Sequence, residues 1–558
     1  MAVPSRQFAR PGRRRPAGRA RRDGSPAAGG GAGAAPARLP RRAERLGRGA
    51  PHLARRGRLG RGRGHGDSVR RPAPVSGLPE IVDALRRAGL LVRAPVDGAV
   101  PAIAGLTTDS RKVEPGMLYC AVRGSVQNGH RFVAAAAARG AVAALVEEEQ
   151  AVAVPQVLVQ DGRRAAAVAA ETWYGRPAAR LDLVGVTGTS GKTTSVVLAR
   201  HVLSALQPTG SIGTLGAFDP AGEPVPSEAG NLTTPGPIDL QATLAALVAR
   251  GARGATMEVS SHSLDQGRVD GLVFRAAVFT NLTREHLDYH KTPEEYFRAK
   301  AKLAGYLAED GLEVVNADDA AWQRLPRRHR RVTFGERGGD VTAKRVATDA
   351  SGSRFDLITP MGSAPVKLPL LGRFNVTNAL GVAACAWGVG VPAEAIAERL
   401  STAPQVPGRM ERIAEHPCTI LRDYSHKPDA LERALESVRA LTAGRLILVF
   451  GAGGDRDRGK RAPMGEIAAR LADVAIVTSD NPRTEDPERI LDELEAGMQG
   501  KPHHRRSDRR EAIALALELA RPGDTILLAG KGHETYQIVG AAKQPFDERA
   551  IVRELGAE

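Results

Sequence analysis

Cysteine is scarce in this 558-residue chain. Its three residues, Cys120, Cys385 and Cys418, lie far apart and show no metal-ligand spacing. This rules out a disulfide framework, and the thiols read as reduced, cytoplasmic side chains. Long apolar runs are also missing. No stretch approaches the roughly 18–20 residues of a membrane-spanning helix, so no membrane partner is expected. Lysine does not occur before Lys112, and acids are rare over the same opening stretch. Residues 1–75 hold 20 arginines against three acids, Asp23, Glu44 and Asp67, which accounts for the whole formal charge of +17. The remaining 59 basic residues are matched by 59 acidic ones. The folded part is therefore neutral, and no nucleic-acid partner is expected for it.

Residues 1–75 are mostly Arg, Gly, Ala and Pro, with almost no aromatics. Such a segment cannot bury enough apolar surface to offset its ordering entropy, so it is expected to be disordered. It has no apolar signal-peptide core, and its serines are too few for an organelle transit peptide. The next methionine after Met1 is Met117. Two readings stay open: an overextended start, with the true one near Val69 or Val75, or a basic tail for RNA or anionic lipid.

With 42% hydrophobic residues, the rest can bury a sizeable core. Its length suits about three domains. The pattern divides into 78–180, 181–405 and 406–558. Short apolar strands alternate with helices, as in Phe132–Gly140 followed by Ala141–Val146, which predicts a doubly wound α/β architecture.

The most specific motif is Gly188-Thr-Ser-Gly-Lys-Thr-Thr194, placed between an apolar strand, Leu181–Val186, and an apolar helix running to about Leu206. Glycines let backbone N–H groups turn toward phosphate oxygens, and the helix N-terminus adds positive potential. Gly188, Thr189, Gly191, Lys192, Thr193 and Thr194 are thus candidate ATP contacts. Lys192 would reach the β- and γ-phosphates, and the Thr193 or Thr194 hydroxyl would face magnesium. The strict pattern asks for Gly where this chain has Val186; the shorter form is intact.

Two further strand ends carry charge. Ala255-Thr-Met-Glu-Val-Ser-Ser-His-Ser263 ends a strand near Glu258, and Phe279-Thr-Asn-Leu-Thr-Arg-Glu-His-Leu-Asp-Tyr-His290 follows another. Strand ends beside a phosphate loop are where metal ligands belong. In the last block, Phe450–Asp457, Val474–Arg483 and Thr525–Glu534 each run from an apolar strand into a polar loop. The carboxyl-end loops of an open sheet line one crevice. That would gather Arg456, Asn481, Arg483, Gly530 and Glu534.

At these residues the chain resembles the Mur ligase family, which builds the peptide stem of the bacterial cell wall. The resemblance extends through Val314-Val-Asn-Ala-Asp-Asp319, Leu371-Gly-Arg-Phe-Asn-Val-Thr-Asn378, Val406-Pro-Gly-Arg-Met-Glu-Arg412, Asp423-Tyr-Ser-His-Lys-Pro-Asp429 and Phe450-Gly-Ala-Gly-Gly-Asp-Arg-Asp457, and covers nearly everything from 78 to 558. It implies a three-domain architecture with a central P-loop ATPase-like domain and a C-terminal Rossmann-like domain. The three parts would bind the uridine nucleotide (78–180), ATP (181–405) and the amino acid (406–558).

Residue by residue, the resemblance implies that Ser110 and Arg111 bind the uridine part, and that Thr233, Thr234, Ser260 and Arg268 hold the muramoyl dipeptide. Asn316, Asn378 and Arg409 would line the ATP base and ribose region. Lys192, Glu258, His286 and Lys300 would be catalytic, with Thr193, Glu258 and His286 as magnesium ligands. Lys300 matches a lysine carbamylated to N6-carboxylysine. Asp480-Asn-Pro-Arg483 resembles the motif of members that add diaminopimelate. Four positions depart from the pattern's usual residues: Glu285 replaces Asp, Ser425 and Lys427 replace Ala and Thr, and Ala304 replaces Phe.

The implied activity is an ATP-dependent amide ligase of peptidoglycan precursor synthesis, working through an acyl phosphate. Its substrates would be UDP-N-acetylmuramoyl-L-alanyl-D-glutamate, meso-diaminopimelate and ATP with Mg2+. A monomer is expected. A lysine-adding relative, a folate-type glutamate ligase, and an ATP-gated regulatory protein with an RNA-binding tail are the alternatives. The uridine-domain motif disfavours the folate reading, and the intact catalytic set disfavours the regulatory one.

The charge count yields the first prediction. Deleting residues 1–75 should leave the melting temperature and the turnover rate close to those of the full chain. Loss of folding or of substrate affinity would show that the segment packs on the enzyme.

Overall fold

Strand-forming apolar runs that end in Gly or a polar residue organise the chain into successive sheets. A computed structural model describes residues 77–95, 102–124, 127–227, 230 and 232–558. The expectation for residues 1–75 lies outside the described residues. Among those described, no helix is long and apolar enough to cross a membrane.

The first sheet has five strands. Four of them, Gly105–Thr107, Met117–Cys120, Ala143–Val146 and Gln156–Val159, pair in parallel in chain order, and Leu91–Arg93 closes the edge antiparallel. The helix Gly162–Trp173 starts at Asp161, whose carboxylate accepts from the N–H groups of Arg163 (3.0 Å) and Arg164 (3.1 Å), an N-cap of the usual kind. Its alanines Ala165, Ala166, Ala169 and Ala170 let it pack closely against Leu78, Ile81 and Leu85. Ile238 and Ala245, from the helix Pro237–Ala249 of the next block, join the same core.

The second sheet has eight strands. At its centre Asp182–Thr187 pairs in parallel with Gly254–Glu258 on one side and Phe274–Phe279 on the other. Leu307–Asn316 and Arg330–Phe334 extend it one way. Thr209–Gly213 extends it the other way, followed by a short antiparallel edge. Both faces are covered, so the central strand is apolar almost throughout. Val184 and Val186 join one core with the helices Lys192–Leu203 and Phe374–Gly388. Leu183 joins the opposite core with Met257, Phe279 and Trp322. This is the period-two alternation of a strand between two layers.

The structure adds an element that the strand–helix alternation did not predict. Residues Thr342–Asp349, Gly352–Thr359 and Gly362–Leu368 form an antiparallel three-stranded sheet. Its signal is alternation: Phe355 and Leu357, and Ala364, Val366 and Leu368, are buried in the core, with the less buried Asp356, Pro365 and Lys367 between them. Gly352 and Gly362 supply the positive φ of the two hairpin turns.

The last large sheet has six strands, ordered Glu411–Ala414, Thr419–Asp423, Thr525–Ala529, Leu446–Phe450, Val474–Val477 and His504–Arg505; only the first is antiparallel. The carboxyl ends at Asp423, Ala529, Phe450 and Val477 are therefore neighbours. A hairpin, Tyr536–Val539 with Ala542–Pro545, follows.

Beneath this sheet lies a fully buried ion pair. The side chains of Arg509 and Glu548 are both 0% exposed. The Arg509 Nε donates to Glu548 Oε1 (2.9 Å) and its Nη2 to the Ala529 carbonyl (2.9 Å). The pair ties the helix Glu548–Glu554 to the end of the strand Thr525–Ala529. Removing one partner leaves a buried charge uncompensated, at a cost of about 3–5 kcal/mol. Glu548→Ala should thus lower the urea midpoint of the last block clearly. An unchanged midpoint would contradict this role.

Candidate active site

The strand Asp182–Thr187 ends in the loop Gly188–Gly191, and the helix begins at Lys192. Two glycines here are steric requirements. Gly188 has φ 151°, and a Cβ on it would stand 1.9 Å from Thr280 Oγ1. Gly191 has φ 83°, and its Cβ would stand 2.3 Å from Asn378 Oδ1. The adjoining strand end clamps the loop. Thr280 Oγ1 donates to the Ser190 carbonyl (2.8 Å), the Thr189 N–H to the Asn281 carbonyl (2.8 Å), and the Ser190 N–H to Asn281 Oδ1 (2.9 Å). The first N–H groups of the helix Lys192–Leu203 have no intrahelical acceptor, so the helix start offers donors and positive potential to an anion.

Two lysines converge on this loop. Lys192 Nζ donates to the carbonyls of Gly188 (2.8 Å) and Thr189 (2.9 Å). Lys300 Nζ donates to the same Gly188 carbonyl at 2.7 Å and stands over the Tyr296 ring at 4.6 Å. Lys300 is 1% exposed. Burial, and then the neighbouring charge of Lys192, push its amine well below the usual lysine range. Burial lowers Lys192 too, against the opposing pull of Glu258 and Glu285.

Glu258, 2% exposed, ends its strand beside the loop. Its carboxylate accepts from the Thr214 N–H (2.8 Å) and hydroxyl (3.2 Å), and among the described residues it has no ion-pair partner. A buried carboxylate held only by neutral donors suits a cation. His286 has φ 55°. Burial takes its pKa down to about 4, so near neutral pH its ring is uncharged and can offer a lone pair. Among the described residues no three His, Cys, Asp or Glu side chains form a ready metal cage. Magnesium normally takes one or two carboxylates and completes its shell with water and substrate phosphates. Glu258, with His286 and the Thr193 hydroxyl, fits that need.

Glu258 also joins the residues expected to hold the dipeptide. The Thr214 hydroxyl donates to Thr233 Oγ1 (3.2 Å), and Thr234 Oγ1 donates to the Glu258 carbonyl (2.8 Å). The Ser260 N–H donates to Thr234 Oγ1 (3.1 Å), and Arg268 Nη1 to the Thr234 carbonyl (3.0 Å). Thr233, Thr234, Ser260 and Arg268 thus form one network. Ser110 and Arg111 do not join it: Arg111 is exposed and forks onto Asp109 (2.9 and 2.8 Å). The Asn316 amide is committed to backbone, donating to the Thr280 carbonyl (2.7 Å) and accepting from the Asp318 N–H (2.9 Å). Asn378 bonds Asn375 at 3.0 Å and abuts Gly191.

The last block reaches the loop through two residues. Arg409 Nη2 donates to Thr193 Oγ1 (3.4 Å), and its guanidinium stacks on Tyr424 at 4.8 Å. Lys427 forms an ion pair with Glu285. Two positions that depart from the resemblance are therefore each other's partner.

The loops expected to line a crevice at the carboxyl ends of the last sheet follow strands that are neighbours in it. Asn481 Nδ2 donates to Glu534 Oε2 (2.8 Å). Arg483 has φ 53°, and its Nη1 donates to the Gly454 carbonyl (2.7 Å). Arg456 Nη1 is bound to the Asp455 carbonyl (2.9 Å). Among the described residues neither arginine has an ion-pair partner. Gly530 lies against Asp480. Burial raises Glu534, while Asn481 and Lys531 pull it back. The sequence reading missed Lys531, which is 0% exposed and lies 3.4 Å from Asp480, 3.1 Å from Asn481 and 3.6 Å from Glu534. A lysine between Gly530 and Gly532 was the available signal.

Comparison with known proteins gives three family matches: the Mur ligase family catalytic domain over residues 102–174, the Mur ligase middle domain over 186–386, and the Mur ligase glutamate ligase domain over 408–532. UDP-N-acetylmuramoyl-L-alanyl-D-glutamate–2,6-diaminopimelate ligase of Gloeobacter violaceus is 45% identical, over 81% of this chain and 93% of its own length. The enzyme of the same name from Geobacillus kaustophilus is also 45% identical, over 82% and 95%. A solved structure of a ligase of that name shares 35% identity with a TM-score of 0.58, covering 82% of this chain and 96% of that one. The MurF structure from Acinetobacter baumannii, at 23% identity and a TM-score of 0.59 over 82% and 95%, shares the fold.

The glycine geometry makes a direct prediction. Gly188→Ala should abolish measurable ATP binding in calorimetry, because the methyl group and the Thr280 hydroxyl cannot share one position. Binding within a few fold of wild type would show that the loop tolerates a side chain there.

Proposed function

This chain belongs to the Mur ligase family, and we propose that it joins 2,6-diaminopimelate to UDP-N-acetylmuramoyl-L-alanyl-D-glutamate at the expense of ATP. The observation that carries the reading is the 45% identity to ligases of that name over nearly their full length. The two unpaired arginines of the C-terminal crevice support it.

In this reading residues 78–180 bind the uridine nucleotide, 181–405 bind ATP and 406–558 bind the amino acid. A side-chain carboxylate oxygen of the D-glutamyl residue attacks the γ-phosphorus. The bond to the β,γ-bridging oxygen breaks, ADP leaves, and an acyl phosphate remains. A neutral amine of diaminopimelate attacks the acyl carbon. The carbon–oxygen bond to phosphate breaks, phosphate leaves, and the nitrogen loses its proton to give the amide. Lys192 and the helix start stabilise charge on the transferring phosphoryl group. Bound magnesium, held by Glu258, His286 and the Thr193 hydroxyl, would neutralise phosphate charge. The network of Thr233, Thr234, Ser260 and Arg268 positions the dipeptide.

Lys300 has the surroundings that carbamylation needs. Burial pushes the Lys300 amine well below the usual lysine range, toward the neutral form that is nucleophilic to CO2, and the carbamate nitrogen keeps one N–H for the Gly188 carbonyl. The product is an anion beside Lys192, where the amine alone competes with it. Lys300→Ala should therefore be nearly inactive, with partial recovery on adding a short carboxylic acid. Full activity of Lys300→Ala in bicarbonate-depleted buffer would refute the carbamate.

The amino acid is the second test. Diaminopimelate differs from lysine by a carboxylate at the far end of its side chain. A guanidinium can hold that carboxylate through two parallel hydrogen bonds, and Glu534 can take the adjoining ammonium. Breaking a buried charged pair costs roughly 2–5 kcal/mol, about 30-fold or more in affinity. Arg483→Ala should weaken use of meso-diaminopimelate by at least tens of fold with ATP affinity nearly unchanged. Mass spectrometry of the product should show addition of diaminopimelate in strong preference to L-lysine. Equal kcat/KM for the two amino acids would overturn the assignment.

A further inference from the structure

Glu285 follows the strand Phe274–Phe279, in the segment whose Asn281 clamps the phosphate loop. Lys427 immediately precedes the helix Pro428–Arg439 of the last block. Their ion pair spans 142 positions of sequence and joins the ATP-binding and amino-acid-binding parts at the mouth of the loop. The Glu285 carboxylate is also 3.8 Å from His286 Nε2, and its charge acts on Lys192 and Lys300. The charge of Lys427 reaches Lys192 and His286.

Lys192, Arg409 and Lys427 are the cations around the loop, and Glu258 and Glu285 are its carboxylates; carbamylation of Lys300 would add a third anion to set against the three cations. A partly exposed pair such as Glu285–Lys427 contributes little to stability, yet it brings a cation of the last block to the phosphate loop. A polyanion bound at the helix start would repel the Glu285 carboxylate and attract the Lys427 ammonium. The lysine has the freedom to respond, because its side chain is 42% exposed on a long flexible stem. Arg409, from the same block, already reaches the loop at Thr193.

We infer that Lys427 is a phosphate-contacting residue, delivered by the amino-acid-binding part to the terminal phosphate of ATP, and that Glu285 is the carboxylate it leaves when the nucleotide binds. This deepens the ligase reading, on which it rests for the identity of the nucleotide. It also couples the two halves of the reaction. The block that carries the amine would sense the γ-phosphate through a single side chain, and would lose that contact once the phosphate had been transferred and released.

The test is calorimetric titration of the full chain with AMP, ADP and the β,γ-imido analogue of ATP, at fixed magnesium and ionic strength. Wild type, Lys427→Ala, Lys427→Gln and Lys427→Arg are compared, with melting temperatures as the control for folding. A hydrogen bond between charged groups sets the expected loss at about tenfold or more. Lys427→Ala and Lys427→Gln should lose that much affinity for the triphosphate analogue and stay within about twofold of wild type for AMP. Lys427→Arg should keep most of the affinity. Equal weakening for all three nucleotides, or none for the triphosphate, would overturn the inference and leave the pair as a clasp between the two parts. The ligase reading fails separately: a wild type that binds ATP with this phosphate dependence but forms no amide refutes that reading alone.

Discussion

One carbonyl oxygen organises the centre of this molecule. The Gly188 carbonyl accepts from both Lys192 and Lys300, and it can do so only because Gly188 adopts a backbone conformation that leaves no room for a side chain against Thr280. The parallel pairing of Asp182–Thr187 with Phe274–Phe279 sets that geometry, because the two strands end side by side. Two ammonium groups on one acceptor repel each other. The structure meets this by burying Lys300, which drives its amine toward the neutral form and so toward reaction with CO2. Lys192 of the glycine loop and the buried Lys300 are thus parts of one electrostatic arrangement.

Much of this was legible in the sequence because the signals were local. The phosphate loop carries its own glycines and its own helix. The C-terminal crevice followed from a general property of open α/β sheets, and the strand order places the ends at Asp423, Phe450, Val477 and Ala529 together as required. What was not legible depended on long-range pairing. The antiparallel sheet over 342–368 escaped because its alternation is short and lies between two strong strand–helix patterns. Lys531 has only its flanking glycines, Gly530 and Gly532, as a local signal, and these do not by themselves separate a lysine at 0% exposure from a solvated one. The partnership of Glu285 with Lys427 could not be read from either residue, since it exists only once two distant parts of the chain are folded together.

The same division explains how sites are shared among the blocks. The middle block supplies the rigid part: Lys192, Glu258, His286 and Lys300 sit on or beside strand ends and helix starts that are largely buried. The last block reaches in with two cationic side chains, Arg409, which bonds Thr193 and stacks on Tyr424, and Lys427, which pairs with Glu285. Fixed donors suit phosphoryl transfer, where charge must be met without reorganisation. Ser110 and Arg111 stand apart from both sets, and among the described residues Arg111 forks onto Asp109.

Isotope transfer shows whether ATP activates the substrate's carboxylate, the step proposed for the loop Gly188–Thr194. The muramoyl dipeptide can be prepared with 18O in the side-chain carboxyl group of its D-glutamyl residue and turned over with ATP and meso-diaminopimelate. Each inorganic phosphate released should carry one 18O atom from that carboxyl group. Amide product accompanied by unlabelled phosphate would refute activation through an acyl phosphate.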